Sequence, residues 1–89
     1  MEKRLAAINI IISDRKVAEQ VNGILHAYGQ HIIGRLGLPC PEYGVNVISV
    51  VIGAPQDEIS ALSGKLGRLK SVTAKVTFAP EVKRNAGED

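Results

Sequence analysis

Aromatic side chains are nearly missing from this chain, which has two tyrosines, one phenylalanine and no tryptophan among 89 residues. RNA binding in the manner of an RRM needs aromatic stacking platforms on the central strands of its sheet, and the candidate central strands here carry none. Cysteine is as scarce. The single thiol, Cys40, excludes an internal disulfide and offers no CxxC spacing for zinc or redox work, so it is read as a bystander. No apolar run reaches the roughly 18 residues that span a bilayer, and Met1-Glu2-Lys3-Arg4 leads into a strand pattern rather than a signal peptide. A cytoplasmic protein without a membrane partner is expected. Nor does one sign of charge dominate: eleven basic and nine acidic residues leave a net +2, too weak a bias to mark a phosphate-binding surface. Direct contact with nucleic acid is therefore not expected.

What the chain does have is aliphatic mass, 45% hydrophobic residues made up chiefly of Ile, Val, Leu and Ala, enough for one domain over 1–80 with a modest core. Leu5 to Ile12 reads as a first strand that stops at Ser13-Asp14, residues that favour a helix N-cap. Val17, Val21, Ile24, Leu25 and Tyr28 then fall on one helical face, and Gly29 stands where a C-terminal cap belongs. His31 to Leu38 reads as a second strand in which Gly34 and Gly37 signal a bend, a bulge or close approach of another backbone. Pro39 to Gly44 follows as a rigid loop, and Val45 to Gly53 as a strand covered on both faces. Pro55 fits the first turn of a second helix, with Asp57 and Glu58 at its positive end and Lys65, Arg68 and Lys70 at the other. Its apolar stripe is Ile59, Leu62, Leu66 and Leu69. Val72, Ala74, Val76 and Phe78 alternate with Thr73, Lys75 and Thr77, the pattern of an edge strand with one wet face. Residues 81–89 are polar and read as a flexible tail.

The order β-α-β-β-α-β predicts an α+β, ferredoxin-like sandwich, a four-stranded antiparallel sheet with both helices on one face. In that plan strands one and three are central. Their helix-facing sides, Ile8, Ile10, Ile12, Ile48, Val50 and Ile52, make the core. Their opposite sides carry Leu5, Ala7, Ile11, Val47 and Val51, interrupted by Asn9 and Ser49, which is too apolar for a surface left in water. Another copy of the chain is the simplest cover, and a homodimer or a dimer of dimers is expected.

Four polar residues stand out as candidate ligand contacts. His26 lies about 180° around the first helix from the apolar stripe, beside Arg15, Glu19 and Asn22, so it faces solvent or an interface. His31 follows the Gly29 cap at the start of a strand. Arg35 sits between two glycines, where its guanidinium can reach a carboxylate or an anionic ligand. Asp14 opens the first helix as an N-cap. Gly64 and Gly67 lie inside or at the end of the second helix, so they read as packing and capping glycines rather than a phosphate loop. No Ser/His/Asp or Cys/His set and no paired carboxylates point to catalysis, and no metal or other cofactor is expected.

His26-Ala27-Tyr28-Gly29-Gln30-His31-Ile32-Ile33-Gly34-Arg35-Leu36-Gly37-Leu38-Pro39 and Ser60-Ala61-Leu62-Ser63-Gly64-Lys65-Leu66-Gly67-Arg68-Leu69, with an acid-rich helix start between them, resemble the small proteins named as proposed iron-only hydrogenase system regulators. The resemblance runs from Arg4 to about Phe78. It implies an ACT-like domain similar to the C-terminal regulatory domain of the nickel-responsive repressor, and places Asp14 on the loop through which ACT-like domains often meet a small effector. The loop from Ser13 to Asn22 lacks the glycine that usually admits such a ligand. The repressor's helix-end histidine corresponds to His26, but its two strand histidines fall on Gly37 and Pro39, and Cys40 comes too early to replace its cysteine, so no nickel site is carried over. The function expected is a non-enzymatic regulatory module, a homo-oligomer that binds a small effector or a partner protein at its subunit interface and acts on a hydrogenase-related or transcriptional system. No DNA-reading segment precedes Leu5, so control of transcription would run through a separate protein. The alternative is a small acylphosphatase-like hydrolase on the same fold. For that role Ser13-Asp14-Arg15-Lys16 is a poor anion cradle, because Asp14 repels the substrate.

Overall fold

Isoleucine at alternate positions gives β1 (Lys3–Ile12) its inward face, with Ile8, Ile10 and Ile12 buried and Asn9 and Ile11 turned outward. This computed structural model describes residues 2–81, so the tail expected over 81–89 lies, beyond Glu81, outside the described residues. The other elements are α1 (Ala18–Ala27), β2 (Ile32–Cys40), β3 (Val45–Pro55), α2 (Gln56–Gly67) and β4 (Val72–Phe78). The strands form one antiparallel sheet in the order β2-β3-β1-β4, with β1 and β3 central as the ferredoxin-like plan requires. Val21 and Leu25 of α1 and Ile59, Leu62 and Leu66 of α2 close over Ile8, Ile10, Ile48, Val50 and Ile52 to make the single core.

Several boundaries differ from the sequence reading. β1 and β3 are longer, since Lys3 pairs with Pro55 and Arg4 with Ala54. Pro55 accordingly ends a strand in extended geometry (φ −58°, ψ 147°) and precedes α2 instead of opening its first turn. The entry to α1 is a 3-10 turn over Arg15–Val17, capped by Asp14, whose Oδ1 accepts from the Lys16 N–H at 3.0 Å. At the far end Gly29 is not a left-handed cap. Tyr28 takes the cap position and a second 3-10 turn, Gly29–His31, uses the leftover carbonyls, with His31 N–H donating to Tyr28 O at 2.9 Å. His31 therefore lies in that turn and β2 starts one residue later.

β2 also runs on through Pro39 and Cys40, which the sequence assigned to a loop. As an edge strand it leaves half of its N–H groups unladdered, so a proline fits. Ile32 pairs with Ile52 and Gly34 with Val51, which makes Ile33 the extra residue of a bulge. The chain turns into β3 through Pro41–Tyr43 and Gly44, whose φ of 69° is left-handed. After α2, neither Gly64 nor Gly67 does the expected work. Neither adopts positive φ; a Cβ on Gly67 would meet nothing within 4 Å, and one on Gly64 only the tip of Arg68. The left-handed residue is Ser71, φ 68°.

Candidate functional site

Two surfaces flank β2 and β3. On the side away from the helices, Leu5, Ile11 and Val51 are joined by three residues of β2, namely Ile33, Leu36 and Leu38, exposed by 68%, 58% and 51%. Leu36 pairs with Ser49 and Leu38 with Val47, so these leucines continue the apolar face of β3 and β1 out to the sheet edge. The bulge turns Ile33 onto the same side, where its Cδ1 lies 3.5 Å from the position of a Cβ on Gly53. In the middle of the face Ser49 Oγ donates to Asn9 Oδ1 at 2.8 Å, so the polar pair satisfies itself. On the β4 side the face turns hydrophilic with Thr73, Lys75 and Thr77. Cys40 ends β2 half-buried, its thiol directed at Leu38 O at 3.7 Å.

On the helix side, β2 presents Arg35, Gly37 and Pro39 beside α1, which contributes Ala18 and Asn22. A depression of about 280 Å³ opens between them, with Ile12, Ile48 and Asn46 also lining it. It adjoins a second depression of about 340 Å³ that shares Ile12, Pro39 and Asn46 and is lined further on by Ser13 and Arg15. Arg35 Nη2 donates to Asn22 Oδ1 at 2.6 Å, in place of the carboxylate partner that a surface arginine often finds.

The four candidate residues do not converge. Arg35 lines the groove. Asp14 lies on the loop next to it, its carboxylate engaged as a cap. His26 is exposed on α1 one turn beyond Asn22 and lines neither depression. His31 sits at the other end of β2, its Nε2 3.9 Å from Glu58 Oε1 on α2 and 3.5 Å from Gln30 Nε2. Among the described residues no three His, Cys, Asp or Glu side chains are grouped to hold a metal ion, and no helix is long and apolar enough to cross a membrane. Ile33, Leu36 and Leu38 escaped the sequence reading, and Asn22 entered it only as a neighbour of His26 on the first helix. The alternation of Arg35, Gly37 and Pro39 with Leu36 and Leu38 was a usable signal for the leucines. The bulge that carries Ile33 outward required the register.

The sequence profile of the TM1266-like family, described as proposed iron-only hydrogenase system regulators, matches residues 4–76. The chain belongs to this family. Among solved structures it is similar to the uncharacterized protein TM1266 from Thermotoga maritima, at 35% identity and TM-score 0.85, over 89% of this chain and all of that one. It is also similar to the ACT domain of GTP pyrophosphokinase from Chlorobium tepidum, at TM-score 0.68 over 97% of each chain. Identity to the latter is 19%, so that likeness establishes the ACT-like fold alone. No curated protein matches the chain. For this TM1266-like chain, membership brings a regulatory description and the fold, while the site has to be argued from its own residues.

Proposed function

We propose that this TM1266-like protein is a non-enzymatic regulatory module that works as a homo-oligomer, two copies covering each other's open sheet face. The observation that carries the reading is the apolar patch of β2, β3 and β1. Its exposed area is on the order of 500 Å², at the upper end of what single monomers carry. With its rim the patch approaches the roughly 800 Å² that each partner contributes to a stable interface. Family membership supports the regulatory part. In this reading a small effector or a partner protein is recognised at the subunit interface, and its state is conveyed in the cytoplasm to an iron-only hydrogenase or related transcriptional system. Where DNA is the final target, a separate protein reads it.

Native mass spectrometry of the full chain tests the assembly. Dimers or tetramers are expected, reduced to monomers by Leu36→Glu; a wild-type chain that stays monomeric at micromolar concentration sinks the proposal. Acyl phosphate turnover tests the regulatory claim from the other side. No hydrolysis above buffer is expected, and turnover abolished by Arg15→Ala would make the protein a hydrolase instead.

A further inference from the structure

We propose that the groove between α1 and β2 binds a short aliphatic carboxylate, with Arg35 as the partner of the anion and the Gly37 side of β2 as the floor under the hydrocarbon. This goes beyond the regulatory reading, because the groove lies on the helix side of the sheet and self-association was argued from the opposite face.

Three observations meet there. The first is an oriented cation. The hydrogen bond to Asn22 holds the Arg35 guanidinium against α1 and uses one of its five N–H donors, leaving donors for a planar carboxylate, which a guanidinium matches with two parallel bonds. No carboxylate side chain lines the groove to compete for it. The second is open space beside a hydrocarbon ring. The exposed Pro39 lines the groove with its ring, Ile12 and Ile48 reach it from the core with only 2% and 7% of their surface exposed, and a Cβ built on Gly37 would meet nothing within 4 Å. Any larger residue at 37 would project into this space. The third is a polar group farther along the groove, beside Pro39 in the strand register. Asn46 lines both depressions and has no side-chain hydrogen bond to another described residue, so its amide is available to the second end of a ligand or to water around it. A volume near 280 Å³ is small for a ligand site and selects a short chain. The Pro39 ring and the open space over Gly37 favour such an acid over inorganic phosphate, which offers charge and nothing to bury.

Amide NMR of the full ¹⁵N-labelled chain, titrated separately with pentanoate, pentanamide and inorganic phosphate, tests the proposal. Pentanoate is expected to give saturable shifts centred on Asn22, Arg35, Gly37 and Asn46, and pentanamide to bind at least about tenfold more weakly for want of the charge-assisted bonds. Arg35→Gln should weaken pentanoate by a similar factor. Gly37→Leu should abolish its binding. Gly37 has no positive φ and open space at its Cβ position, so the leucine variant is expected to keep a dispersed native spectrum. Absence of saturable shifts with pentanoate, equal responses to acid and amide, or binding that survives Gly37→Leu overturns the site. Phosphate binding as tightly as pentanoate at the same amides overturns the aliphatic-acid assignment. Native mass spectra of the same samples count subunits independently. A monomer that still binds pentanoate refutes only the oligomeric reading, and an oligomer that ignores pentanoate refutes only the groove.

Discussion

Ser71 is the one described non-glycine residue with a left-handed backbone, and its position explains why it stays there. Its carbonyl accepts from both the N–H of Ser13, at 2.9 Å, and the Ser13 hydroxyl, at 3.3 Å, tying the entrance of β4 to the exit of β1. Left-handed geometry costs a non-glycine residue about 1–2 kcal/mol, part of which a glycine returns through the greater freedom of its unfolded chain. Ser71→Gly should therefore raise stability by about 0.5–1 kcal/mol in denaturant unfolding, and Ser71→Val should lower it, because a β-branched side chain tolerates this region worst. Arg4 offers a second test. It donates to Gln56 Oε1 and to Ala79 O, each at 3.1 Å, and stands 4.6 Å from the centre of the Phe78 ring. Arg4→Ala should cost about 1–2 kcal/mol, and Arg4→Lys should recover less than half, since an ammonium cannot make both bonds in the planar fork. Asp14 was legible as a cap because its partner is two residues away. The partner of Arg35 was not, because Asn22 is brought to it only when α1 packs beside β2.

At the scale of elements, periodicity located both helices and the strands β1, β3 and β4, each of which packs a face against the core, whereas β2 has no buried residue and was read as a strand despite Gly34 and Gly37. Their ends obeyed other forces. The last turn of α1 tightened into 3-10 geometry instead of using Gly29, and β2 continued through Pro39 because an edge strand needs only one set of hydrogen bonds. α2 shows where element stability resides. It has no side-chain cap bond at its N-terminus, so burial of Ile59, Leu62 and Leu66 against the sheet holds it in place. Leu62→Ala should cost about 2–5 kcal/mol. Against the roughly 5–15 kcal/mol that small domains possess, that loss brings thermal unfolding down sharply while leaving a single transition, as calorimetry would show. The groove and the open face also share an element. Along β2, Arg35, Gly37 and Pro39 look toward α1, while Leu36 and Leu38 look the other way.

For the whole molecule, the proposed self-association rests on the open face. Its central polar pair would not oppose burial, because Asn9 and Ser49 already bond to each other in the protomer and would bring that bond into the proposed interface. The driving force of the proposed association is apolar area on β2, β3 and β1, with the hydrophilic β4 side as its rim. Three consequences follow from that asymmetry. Because folding and association are linked by mass action, the thermal midpoint should rise with protein concentration. Because the contact is apolar, the dissociation constant should change little between low and moderate salt, where an interface of paired charges would weaken. Leu36→Glu should then dissociate the assembly without unfolding the protomer, since Leu36 already lies largely in solvent there, whereas Lys75→Glu at the rim should shift the constant only slightly. Sedimentation equilibrium across a concentration series distinguishes the two variants. Equal dissociation by both would extend the interface over the β4 side of the face, and an assembly that survives Leu36→Glu would remove the apolar patch as the reason for self-association.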